Sequence, residues 1–136
     1  MANIQSHVTQ WAHNRALMGH IPAKYPDWLV TVAFYTALQA IDALLAYDNV
    51  PVYSHDARNG TLKHTNRYAF IWKHYNPLYD LSRKVRYLAA PGLWIRYEDI
   101  EGKVLKKYLY PIEKSVQNLS GATKWPVHPE IKLMAP

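Results

Sequence analysis

The stretch WLVTVAFYTALQAIDALLAY, residues 28–47, constrains this chain more than any other segment. On a wheel advancing about 100° per residue, Thr31, Gln39 and Asp42 fall within about 80° of one another, and Thr36 lies just beyond. Apolar residues such as Leu29, Val30, Phe34, Leu38, Ile41 and Leu45 occupy the other directions. A helix apolar on most sides must pack against several neighbours. It is expected to be the central element of a bundle, or also to contribute to a subunit interface, and both readings can hold together. The segment is long enough to span a membrane. Its polar residues argue against that, since a charge at mid-bilayer costs at least about 2.5 kcal/mol. A buried helix of a soluble, cytoplasmic protein is the expectation. The opening residues MANIQSHVTQWAHNRALM lack the basic region and apolar run of a secretory signal.

The neighbouring segments read as further helices. Residues 3–18 place Ile4, Val8, Trp11, Ala12 and Leu17 at roughly helical spacing. Gly19, Pro22 and Pro26 then forbid a continuous helix, and Asp27 is expected to cap the next one. After a loop at 48–54, Ser54 is expected to cap a short helix from about His55 to His64. Residues 67–89 repeat apolar positions at three and four. Asn76-Pro77 within them predicts a kink or two abutting helices. A turn is expected at APGLW, residues 90–94, and a last helix over 97–119. Pro111 should kink that helix, and Ser120-Gly121 should end it. No strand pattern of similar strength occurs. The expected fold is all-α, a mainly antiparallel bundle of four or five helices spanning residues 1–120. Residues 121–136 form a proline-containing tail, extended or disordered unless Trp125 docks it.

Composition narrows the chemistry. The chain has no cysteine, which removes disulfides, thiolate nucleophiles and Cys-type zinc sites. The net charge of +6 is unevenly distributed. Residues 1–57 carry −2, residues 58–96 carry +7, and residues 97–136 carry +1. The basic segment holds Arg67, Lys73, Arg83, Lys84 and Arg86 beside Tyr68, Trp72, Tyr75, Tyr79 and Tyr87. Such a mixture can hold phosphates and stack bases. Its other reading is a buried aromatic core beneath a solvated cationic face.

One constellation suggests catalysis: Arg58-Asn59-Gly60-Thr61-Leu62-Lys63-His64. A histidine can move a proton to or from a ribose hydroxyl, and an arginine fork can stabilise phosphorane charge without a metal. One protomer supplies a single pair, so a dimer would be needed to provide both acid and base. The bland reading is that Arg58 makes a local ion pair and His64 is an exposed helix-end residue. On an ideal helix the two lie about 120° apart. His7, His13 and His20 have no nearby carboxylate at ligand spacing, so no metal site and no cofactor are expected.

The FYTAL…IDALLA helix, Ser54-His55 with Arg58, and Tyr75…Leu78…Leu81-Ser82…Arg86-Tyr87 together resemble the HEPN superfamily of bacterial and archaeal helical domains. The resemblance covers about residues 26–90. It implies a helical bundle that often dimerises, with links to RNA cleavage, toxin–antitoxin pairs and defence systems. It also implies a nuclease motif of Arg, a polar residue and a later His, which Arg58, Asn59 and His64 match. Gln39 stands where related small members often carry His. Many members act only as nucleic-acid- or protein-binding modules, and His55 with Arg58 can then be structural. Two functions follow as expectations. One is a dimeric module that binds RNA or a partner protein such as an antitoxin. The other is a metal-independent ribonuclease.

Overall fold

The computed structural model describes residues 3–88, 94–121 and 125–136, and these are helical apart from loops and the C-terminal segment. The elements are α1 (Ile4–Met18), α2 (Pro26–Tyr47), α3 (His55–His64) and α4 (Ala69–Tyr87), the last preceded by a 3₁₀ turn, Asn66–Tyr68. A final rod follows in three pieces: α5 (Tyr97–Asp99), a π-helical stretch π1 (Ile100–Leu109) and α6 (Tyr110–Ser120). Among the described residues there is no strand. The predicted turn at 90–94 lies outside the described residues, except for Trp94.

Local chemistry explains most boundaries. The Asn3 side chain accepts from the Ser6 amide at 2.8 Å and starts α1. Ser54 Oγ accepts from the Ala57 amide at 3.0 Å and starts α3 as expected. Gly121, at φ 86°, ends α6 in a conformation that a side chain would resist. The expected cap at Asp27 is corrected. The helix begins two residues earlier than expected, at Pro26, whose fixed φ suits a first helical position. Asp27 instead sits in the first turn, where its charge meets the positive end of the helix dipole.

At Pro77 the alternative of two abutting helices is corrected. The helix α4 runs unbroken through Pro77. The carbonyl that loses its donor belongs to Lys73, an exposed residue. Ahead of Pro111 the rod is π-helical, and it becomes α-helical at Tyr110, so Pro111 falls in the first turn of α6.

The helix α2 is the central element. It packs against α1, α4, π1 and α6. It is long and apolar enough to span a membrane, but its most apolar window is 78% buried inside the fold. Leu29, Phe34, Ile41, Leu44 and Leu45 are fully enclosed, with Trp11, Ile71, Tyr75 and Leu78 packed into the same core. Each such side chain contributes about 1.5–3 kcal/mol by leaving water.

The polar residues of α2 are buried only where they find partners. Thr31 and Thr36 hydroxyls donate to the carbonyls of Asp27 (2.9 Å) and Val32 (2.7 Å) within the helix. Gln39 meets His7 of α1 at 2.8 Å, and Asp42 meets Arg58 of α3. The contact between the start of α1 and the later half of α2, across a short connection, makes these helices antiparallel.

The C-terminal segment is irregular but docked. Trp125 is buried, stands edge-on to Trp11 at 5.0 Å, and donates to Ser120 Oγ at 3.0 Å. The Ile131 amide donates to the Tyr110 hydroxyl at 2.8 Å, and the Tyr97 hydroxyl donates to the Met134 carbonyl. Beneath the segment lies a buried ion pair. Glu113 accepts from Arg15 Nε at 2.7 Å and from Trp11 Nε1 at 2.8 Å. Arg15 also donates to the Pro129 carbonyl at 2.6 Å, tying the segment to that pair. Gly19 matters here, because a Cβ would sit 3.2 Å from the Lys132 carbonyl.

Candidate functional site

Two groups of side chains carry the chemistry singled out in the sequence. The first surrounds Arg58. The α3 helix turns this residue inward, leaving it only 7% exposed. Its Nε donates to Asp42 Oδ1 at 2.7 Å and its Nη2 to Asp42 Oδ2 at 2.9 Å. This two-pronged geometry is the strongest form of an arginine–carboxylate pair. Burial opposes the charge of Arg58, but the hydrogen bonds and charge of Asp42 outweigh it, so the guanidinium titrates above its ordinary value.

The third partner is His55, whose Nδ1 lies 3.1 Å from Arg58 Nη1. A guanidinium only donates, so Nδ1 accepts and the ring proton sits on Nε2. Burial, followed by the charges of Arg58 and Arg86, lowers the His55 pKa from its usual 6.5, with Asp42 and Asp56 opposing. The rings of Phe34 and Tyr79 stand 6.2 and 6.1 Å away. Tyr75 is fully buried below, and burial pushes its hydroxyl well above the ordinary tyrosine range.

His64 is placed differently. It lies exposed in the last turn of α3. Asn59 is half-buried, and its Oδ1 has no hydrogen-bond partner. The structure therefore brings together Arg58, His55 and Asp42, while His64 stands at the solvent-facing end of the same helix. In the sequence Asp42 is only one of the polar positions of α2. A carboxylate in the middle of a mostly apolar helix is the signal that reveals its role, because a buried charge requires a partner.

The second group is the basic face. Arg67 is committed: it donates to both oxygens of Asp48, at 2.8 and 3.0 Å, and to the Leu119 carbonyl at 3.0 Å. The Tyr68 hydroxyl donates to the same Asp48, and burial with that carboxylate pushes its pKa up to about 12. Lys84 pairs with Asp80 at 3.1 Å and lies 5.2 Å from the Trp94 ring centre. Lys73 is exposed.

Arg86 and Arg83 form the distinctive part. The Arg86 guanidinium lies over the rings of Tyr87 (5.1 Å), Phe34 (5.2 Å) and Tyr35 (5.5 Å). It also donates to the Tyr35 hydroxyl at 2.9 Å and to the Ser82 carbonyl at 3.1 Å. Arg83 lies over Tyr79 at 5.8 Å. Among the described residues no carboxylate pairs with Arg83, Arg86 or Lys73. Tyr87 is 72% exposed and Tyr35 is partly exposed. The edge between α2 and α4 thus presents unpaired cations on open aromatic rings.

No group of His, Asp and Glu able to hold a metal ion occurs among the described residues. A scan against protein-family models, a search of curated proteins and a search of solved structures each found no match.

Proposed function

We propose that this chain is a HEPN-like helical module that binds single-stranded RNA across the α2–α4 edge. The observation that carries the reading is Arg86 held within cation–π range of Phe34, Tyr35 and Tyr87, with Arg83 over Tyr79 beside it. Unpaired cations attract the phosphate backbone, and exposed tyrosine rings offer π-faces on which bases stack regardless of sequence. The pattern of residues 26–90 supports the HEPN part of the reading. A homodimer, a partner protein, a cytoplasmic setting and a role in a toxin–antitoxin or defence system are proposed on the same resemblance.

The nuclease alternative requires Arg58 to reach a phosphate and His64 to act beside it. Both prongs of the Arg58 guanidinium are taken by Asp42, which favours binding over cleavage. The test is fluorescence anisotropy with a labelled single-stranded RNA across about 50–200 mM salt. Affinity is expected to fall with a log–log slope of about −0.7 for each phosphate contact. The double variant Arg83→Glu/Arg86→Glu should weaken binding at least about tenfold and flatten the slope. Unchanged affinity in that variant would remove the α4 face from the reading. The same RNA should stay intact in EDTA, and cleavage abolished by His64→Ala would restore the nuclease.

A further inference from the structure

The exposed aromatic rings do not end at Tyr35. Trp28, in the first turn of α2, is 58% exposed, and Tyr25, which precedes the helix, is 42% exposed. Trp28 and Tyr35 are seven residues apart, two helical turns. They point to one side of α2, within about 20° of each other, at levels about 10 Å apart along its axis. The Tyr25 carbonyl accepts from the amides of Trp28 (3.1 Å) and Leu29 (3.2 Å), which fixes Tyr25 at the turn before Trp28. Tyr79 packs on Phe34 and Arg86 donates to Tyr35, so the C-terminal half of α4 lies beside the N-terminal half of α2. A clustered set of exposed rings of this kind marks a binding surface.

Charge decides what the surface fits. The Lys24 ammonium lies 5.2 Å from the Tyr25 ring centre, and Arg86 lies over Tyr35 and Tyr87 at the other end. Among the described residues no carboxylate pairs with Lys24. The two carboxylates of α2 are out of the way. Asp42 is taken by Arg58, and Asp27 stands about 80–100° round the helix from Trp28 and Tyr35. Asp80, the one carboxylate of α4, pairs with Lys84. The row of rings thus has a cation at each end and no α2 or α4 carboxylate in line with it. Rings between cations match a single strand of nucleic acid, whose bases stack and whose phosphates are drawn to the cations.

We infer that the strand held at Arg86 continues along α2, with bases stacked on Trp28 and Tyr25 and a phosphate held by Lys24. The inference rests on the RNA reading and extends that site from the α4 face to the start of α2. Rings hold a base by its face, so the track takes unpaired bases of any sequence. A duplex keeps its base faces stacked inside and cannot use it.

The test is fluorescence anisotropy with labelled oligouridylates of about four to twelve nucleotides. Wild-type affinity should rise with length and then level off. Trp28→Ala, at an exposed residue, should weaken the longest strand about tenfold and level off at a shorter length. Tyr25→Ala should act in the same direction. Trp28→Phe, which keeps a ring, should stay within about threefold of wild type. Lys24→Gln should reduce the log–log salt slope by about 0.7, one phosphate contact. A blunt-ended duplex should not distinguish Trp28→Ala from wild type. Two failures are separable. If Arg83→Glu/Arg86→Glu weakens binding while the Trp28 and Tyr25 variants match wild type at every length, the RNA reading stands and this extension falls. Absence of RNA binding by the wild type removes both. Sedimentation tests the remaining occupant: a dimer lost in Trp28→Ala with RNA affinity unchanged makes the face an interface between copies and overturns the assignment.

Discussion

Asp42 and Arg58 face each other through two parallel hydrogen bonds of 2.7 and 2.9 Å, joining α2 to α3 across 16 residues of sequence. Both residues are buried. The pair pins the short helix α3 to the central helix at the point where the apolar surface of α2 is interrupted.

Removing one partner should be far more costly than removing both. Arg58→Leu alone should lower the unfolding free energy by about 3–5 kcal/mol, because it leaves an uncompensated carboxylate. Asp42→Leu/Arg58→Leu should recover most of that loss, since apolar replacements of a buried pair are often near neutral. Urea denaturation of the four members of the cycle measures this directly. His64→Ala, at an exposed position, should change stability by no more than about 0.5 kcal/mol. Equal loss in the single and double variants would mean that Arg58 contributes by packing rather than through Asp42.

His55 should make stability depend on pH near neutrality. Its pKa is lowered in the folded state, so the unfolded chain takes up the proton first as pH falls. The contribution is complete above about pH 6.5, the unfolded value, and is lost as pH drops from there toward the lowered folded value. His55→Gln should flatten the slope of stability against pH over that window. Thermal melts of both proteins from about pH 5 to 7.5 supply the comparison. An identical slope in the variant would show that neither burial nor the charges of Arg58 and Arg86 lower the His55 pKa.

The C-terminal segment should behave as part of the fold. Trp125→Ala removes a buried ring from Trp11 and is expected to cost about 3 kcal/mol. Glu113→Ala should cost a similar or larger amount, because it strands Arg15 and leaves Trp11 Nε1 unpaired. Both variants should also expose residues 125–136 to proteases while the helices resist. Wild-type resistance in the Trp125 variant would mean that the segment is held by Arg15 and Tyr110 without the ring contact.

The helices were legible because their signals are local. The Ser54 cap, the apolar periodicity of 28–47 and the Ser120-Gly121 stop each act within a few residues, and the structure follows them closely. Asn76-Pro77 leaves open whether one helix or two form there, because that depends on the packing around the lost hydrogen bond, and the structure has one. The Arg58–His64 spacing pointed to a motif, yet spacing along a chain says nothing about which side of the helix meets α2. Arg58 turned inward to Asp42 and His55, and His64 stayed in water.

From its sequence alone, this protein is determined to be helical, with one apolar helix at its centre and its positive charge gathered between residues 58 and 96. Only the tertiary structure decided which of those charges are free. Arg58 and Arg67 are bound to carboxylates in α2 and the loop after it, and Arg83 and Arg86 are not. Likewise Arg15 and Glu113, 98 residues apart, became partners only when α1 and α6 both docked on α2. Hydrogen-bonded turns and apolar periodicity are short-range and can be read along the chain. Charge pairing depends on distance in space and on burial, and both are set by how the helices dock.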